Sequence, residues 1–127
     1  IRFAGAVTHK MRDYYAASDL LLYPSLYEPF ANVCLEAAAC ALPVLTTSLN
    51  GSSELVRHRE SGYIVDDADD VKAIASALEE FLKLDKIELE GFRKKALEAS
   101  SGFDWELHAE QLEKLFQEIV REKNTNV

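Results

Sequence analysis

Two carboxylates eight residues apart, Glu28 and Glu36, bracket the start of one helix. Glu28 falls in the loop Ser25–Phe30, and Glu36 falls one turn into a helix that the sequence predicts over Asn32–Ala41. The first amides of that helix, from about Phe30 to Val33, have no carbonyl partner inside it and form a natural anion site. Asn32 and Glu36 are four residues apart and share a helix face, so Glu36 is expected to look toward the same mouth. A carboxylate accepts two hydrogen bonds from a vicinal diol, each worth about 1.5–3 kcal/mol. A sugar and a ribose are both diols, and a diphosphate between them would meet the amides. A nucleotide sugar satisfies all three features. A bland reading stands beside it: a loop glutamate and a first-turn glutamate also arise from dipole complementarity and solvation alone.

The elements around this segment alternate between strand and helix. Ile1–Ala4 reads as a short strand ended by Gly5, and Lys10–Ser18 as a short helix with Met11, Tyr14 and Tyr15 on one side. Leu20–Tyr23 and Pro43–Thr47 are continuous apolar runs, as expected of strands buried on both faces of a parallel sheet. Ser48–Ser52 reads as a polar turn around Asn50-Gly51, Ser53–Arg57 as a short helix and Tyr63–Val65 as the last strand. Val71, Ile74, Ala75, Leu78, Phe81 and Leu82 make an apolar stripe at helical spacing. A second helix is expected from about Ile87 to Ala99, and a third from Asp104, an N-cap type, with Leu112, Leu115, Phe116, Ile119 and Val120 on one face. Tyr14, Tyr15 and Tyr23 are expected in the core, and Trp105 is expected to pack the last helix. His58 and His108 are read as surface residues, and the acidic run Asp66–Asp70 as favouring the next helix N-terminus. This order predicts an α/β fold: a Rossmann-like, doubly wound parallel sheet with C-terminal helices. Ligands bind such sheets at the carboxyl ends of the strands, which points to the loops after Ala4, Tyr23 and Thr47.

The 127 residues suffice for one domain with a hydrophobic core. A net charge of −8 argues against nucleic-acid partners, which need clustered Lys and Arg. No apolar run reaches the roughly eighteen residues a membrane span needs. Cys34 and Cys40 fall about 240° apart around one predicted helix and about 9 Å along it, so they do not bridge each other. Free thiols suit a reducing cytosol. His9, His58 and His108 show no metal-ligand spacing, and no metal or cofactor is expected.

The run from Ala17-Ser18-Asp19 through Pro24-Ser25-Leu-Tyr-Glu28-Pro29-Phe30, then Asn32-Val-Cys-Leu-Glu36-Ala37 and Ala41-Leu42-Pro43-Val44, resembles the glutamate-x7-glutamate signature of the family-4 retaining glycosyltransferases of GT-B fold. Phe3-Ala-Gly5, Asn50-Gly51-Ser52-Ser53-Glu54, Gly62-Tyr-Ile-Val65 and Phe103-Asp104-Trp105-Glu106 are similar to its flanking motifs. The Asn-Val-Cys-Leu-Glu wording most resembles bacterial lipopolysaccharide-core sugar transferases.

The resemblance implies a donor-binding C-terminal domain spanning 1–127, with its remaining strands and the acceptor-binding half upstream of Ile1. It assigns Glu28 to the donor-sugar hydroxyls, as the catalytic-site carboxylate, and Glu36 to the ribose diol. It places Pro29, Phe30, Ala31, Asn32 and Val33 around the sugar and phosphate, much of this through backbone amides. The loop Ala6, Val7, Thr8 and His9 takes the nucleobase position. The implied reaction is metal-independent glycosyl transfer with retention, from a donor such as a UDP-sugar to a sugar or lipid-linked acceptor. The implied setting is the cytoplasm, extending to peripheral association with the inner membrane face. Alone, the chain is expected to be inactive and to expose strand edges that invite dimerisation. The family's diphosphate-neutralising Arg and Lys have no match among Lys10, Arg12, Arg57 and Arg59. Ala stands at 31 and at 41, where the family usually has Gly. Ala31 fits if its φ is negative, and Ala41 leaves the helix C-cap geometry open. Two alternatives remain: a non-catalytic nucleotide-sugar-binding module or partner subunit of the same fold, and a GT-B enzyme of another class such as an epimerase, which the glutamate pair disfavours.

Overall fold

Three short apolar runs become three parallel strands flanked by helices in the computed structural model, which describes residues 1–7 and 9–125. The order along the chain is α1 (Met11–Ala16), β1 (Leu21–Tyr23), α2 (Asn32–Ala39), β2 (Val44–Thr47), a 3-10 turn (Gly51–Leu55), β3 (Gly62–Val65), α3 (Val71–Leu82), α4 (Lys86–Ser100) and α5 (Trp105–Thr125). The strands lie in the order β1-β2-β3. Leu21 faces Val44 and Tyr23 faces Thr46, while Val44 faces Gly62 and Thr47 faces Val65. Every residue of β2 is buried, as the central strand of a parallel sheet requires.

Alternation along the strands divides the core in two. Val44, with Leu21, Tyr23 and Ile64, packs against Tyr15 of α1 and Cys34 and Ala37 of α2. Leu45, Tyr63 and Val65 pack with Ala77 and Phe81 of α3 and Phe92 of α4. Helices thus cover both faces of a Rossmann-like sheet. A ring cluster closes the second half: Tyr63 stacks on Phe92 at 5.8 Å and meets Phe81 edge-on at 6.5 Å. Gly62 is set by close approach, because a Cβ there would lie 3.0 Å from the backbone nitrogen and carbonyl carbon of Val44.

Helix ends follow local chemistry. Asp70 caps α3 by accepting the Ala73 amide at 2.9 Å, so one carboxylate of the acidic run serves the helix start as expected. Asp85 and Glu88 form a reciprocal capping box on α4. The Asp104 carboxylate accepts the Glu106 amide at 2.8 Å at the start of α5. The α2 helix ends at Ala39, and Ala41 takes φ 57°, the left-handed value usually given to glycine.

Several expectations are corrected. Ile1–Ala4 is not a strand: no described strand lies beside it to share a ladder, and Ile1 and Phe3 are exposed. Ser53–Arg57 is not a separate helix, because the Asn50 side chain caps a 3-10 turn that begins at Gly51. Tyr14 is 49% exposed, since the short α1 buries only the face bearing Tyr15. Trp105 is 84% exposed, and the apolar stripe of α5 also faces outward. Cys34 lies in α2, while Cys40 is its C-cap residue; both are free.

Candidate functional site

The carboxyl ends of β1 and β2 hold the loop that carries Glu28. Two fully buried threonines close β2, and both reach across to the exit of β1. Thr46 donates its hydroxyl to the Tyr23 carbonyl oxygen at 3.0 Å. Thr47 donates to the Ser25 carbonyl oxygen at 2.6 Å and receives the Ser25 amide at 3.4 Å. Beyond Ser25 the loop is laid against the next turn. The Gly51 amide donates to the Glu28 carbonyl oxygen at 2.8 Å, and Glu28 and Asn50 form a parallel bridge. A Cβ on Gly51 would overlap the Pro29 carbonyl oxygen and lie 2.9 Å from its carbonyl carbon, so only glycine permits this approach. Asn50 is fully buried; its Oδ1 accepts the Ser52 amide and hydroxyl at 3.0 and 2.7 Å. Its Nδ2 has no hydrogen-bond partner among the described residues.

The α2 N-terminus is open. Its N-cap is Ala31, with φ −82° and no side-chain cap. The negative φ explains why Ala serves where the family usually has Gly. Since no side chain occupies the capping position, the Asn32 and Val33 amides stay available to an anion, while the Cys34 amide donates to the Ala31 carbonyl oxygen at 2.9 Å. Beneath them, Cys34 is fully buried. Burial pushes its thiol pKa up, the neighbouring Ser52 hydroxyl opposes this, and the Glu28 charge adds to the rise. Glu28 itself is half-buried.

Glu36 sits one turn on and is exposed, yet its carboxylate is held. The Tyr15 hydroxyl donates to its Oε2 at 3.0 Å. Tyr15 is only 6% exposed, and its pKa is pushed up to about 12, first by burial and then by the hydrogen bond and charge of Glu36.

A cavity of about 470 Å³ opens beside the α2 N-terminus, lined by Phe30, Asn32, Leu35, Phe103, Trp105 and His108 among others. Phe30 stacks on Phe103 at 5.7 Å, which ties the Glu28 loop to the start of α5. The cavity brings Phe30 and Asn32 together. Glu28, Pro29, Ala31, Val33 and Glu36 do not line it, and Glu36 turns instead to Tyr15 of α1. Ala6 and His9 are exposed, Val7 is half-buried, and none of the three lines the cavity; Thr8 lies outside the described residues.

Reading the sequence missed Tyr15, Thr46, Thr47 and the aromatic wall at Phe103 and Trp105. The threonines carried a signal, as two hydroxyls ending an apolar run. Tyr15, 21 residues from Glu36, carried none.

A family model described as glycosyl transferases group 1 matches residues 1–84. The chain belongs to the group 1 glycosyl transferases. The matched stretch holds Tyr15, the whole Glu28–Glu36 segment, the sheet and α3, and leaves out α4 and α5. Among group 1 relatives, a D-inositol 3-phosphate glycosyltransferase from Thermobispora bispora is 33% identical over 93% of this chain. Sucrose-phosphate synthase from Thermosynechococcus elongatus superposes with a TM-score of 0.72 over 85% of the chain, at 32% identity. Anabaena HepE, solved in complex with UDP and glucose, superposes at 0.70 over 83%, at 26% identity. The chain spans 27%, 27% and 29% of those three proteins. Its fold is that of the C-terminal domain of a GT-B glycosyltransferase.

Proposed function

We propose that this chain is the nucleotide-sugar-binding domain of a glycosyltransferase that moves a sugar from a UDP-sugar-type donor. The observation that carries the reading is the uncapped α2 N-terminus with Glu28 and Glu36 on either side of it in sequence. Asn32 and Val33 amides would donate to the donor's diphosphate. Glu28 would accept hydrogen bonds from sugar hydroxyls, and Glu36 from the ribose 2′- and 3′-hydroxyls. As the bond between the anomeric carbon and the phosphate oxygen breaks, negative charge grows on the leaving diphosphate. Amides fixed before the reaction stabilise that charge without reorganising. UDP and glucose in the related HepE support this donor class.

The finer reading is retaining, metal-independent transfer by a cytoplasmic enzyme of bacterial lipopolysaccharide or polysaccharide synthesis. It rests on the glutamate-x7-glutamate spacing and on the Asn32–Glu36 wording. No helix among the described residues is long and apolar enough to cross a membrane. Isothermal titration with UDP-glucose and its analogues, in wild type and Glu36→Ala, tests the reading. The variant should bind about tenfold or more weakly. Equal affinity would remove Glu36 from the site.

A further inference from the structure

We infer that Tyr15 is a positioning residue that holds the Glu36 carboxylate in the orientation required to receive a ribose diol. The inference rests on the proposed ribose role of Glu36 and adds how that exposed side chain is aimed. Three observations carry it. The Tyr15 hydroxyl is 3.0 Å from Glu36 Oε2. The Tyr15 ring is 6% exposed and packed in the core formed by α1, α2 and the sheet, so the donor atom cannot drift. Glu36 itself is exposed, and no ion pair to Lys, Arg or His is found for it among the described residues, so no cation competes for its orientation.

The chemistry allows a shared role. A phenol donates one proton, and an ionised carboxylate offers about four lone-pair sites. With one site on Oε2 taken by Tyr15, Oε1 and the second lone pair of Oε2 stay free for two hydroxyl donors. A long exposed side chain otherwise samples many rotamers and loses that freedom on binding. The buried phenol fixes the rotamer beforehand. Burial and the neighbouring charge also keep the phenol protonated, and therefore a donor, throughout the neutral range.

The test compares UDP with 2′,3′-dideoxy-UDP on the 127-residue chain, by amide chemical-shift titration, in wild type, Tyr15→Phe and Glu36→Ala. Wild type should prefer UDP, and Glu36→Ala should abolish the preference. Tyr15→Phe keeps the ring and should reduce the preference about five- to tenfold, with dideoxy binding unchanged. A role confined to packing would weaken both ligands equally and leave their ratio intact. Tyr15→Met is the reserve variant lacking the hydroxyl, should Tyr15→Phe fail to fold. A ratio lost in Glu36→Ala but intact in Tyr15→Phe overturns this inference alone. A ratio intact in Glu36→Ala overturns the ribose role of Glu36 and this inference with it.

Discussion

Replacing Gly51 by alanine should weaken donor binding through the backbone that carries Glu28. The added Cβ would overlap the Pro29 carbonyl oxygen and sit 2.9 Å from the carbonyl carbon, both backbone atoms with no rotamer to yield. Ordinary contact lies beyond about 3.4 Å, so the Pro29 carbonyl oxygen must retreat by roughly 1.5 Å. That shift pulls on the hydrogen bond from the Gly51 amide to the Glu28 carbonyl oxygen, 2.8 Å in the native chain. Overpacking of this kind costs about 1–3 kcal/mol of stability. It also moves Glu28 and the amides after it together, and a misplacement of about 1 Å can cost roughly 100-fold in activity. Chemical denaturation should therefore show a folded, weakened variant. Titration with UDP-glucose should show binding reduced at least about tenfold. Native donor affinity in a variant destabilised by the expected amount would refute the claim that Gly51 aims the Glu28 loop.

Three further outcomes follow from the same structure. Ala41→Gly should raise stability by about 0.5–1 kcal/mol, because alanine carries a penalty at φ 57° that exceeds the extra unfolded-state freedom of glycine; thermal unfolding checks it, and a lowered midpoint counts against it. Thr47→Val should lose about 1–3 kcal/mol by orphaning the Ser25 carbonyl, read by urea denaturation, with donor affinity falling as the β1 exit loosens. Tyr15 has a folded pKa of about 12, above the ordinary value near 10, so its stabilising effect is complete below about pH 10 and lost as pH rises toward 12. That loss is on the order of 2–3 kcal/mol, and stability curves of Tyr15→Phe should lack it.

The candidate site was legible in sequence as far as its chemistry is local. Glu28, the α2 start and Glu36 lie on one short stretch, so spacing and helix geometry alone put them forward as one candidate segment. What holds these segments is not local. Glu36 meets Tyr15 across 21 residues, and the loop backbone that carries Glu28 is held by the Gly51 amide and, at Ser25, by Thr47 of β2. Phe30 and Asn32 share a cavity with Phe103, Trp105 and His108, more than 70 positions away.

By itself the sequence determined the alternation of strand and helix, the apolar central strand, the acidic caps and the family. These depend on periodicity and on contacts within a few residues, where side-chain type dictates conformation. Tertiary structure decided what depends on a partner. Ile1–Ala4 has the composition of a strand but no described strand beside it, so it forms no ladder and stays exposed. Ala41 adopts a left-handed conformation that its own side chain disfavours, because the chain must turn from α2 into β2. Trp105 stands at a cavity wall, its large apolar ring uncovered by the elements that the alternating pattern predicted. Hydrogen bonds and packing between distant segments have no period in the chain, which is why only the folded protein reveals them.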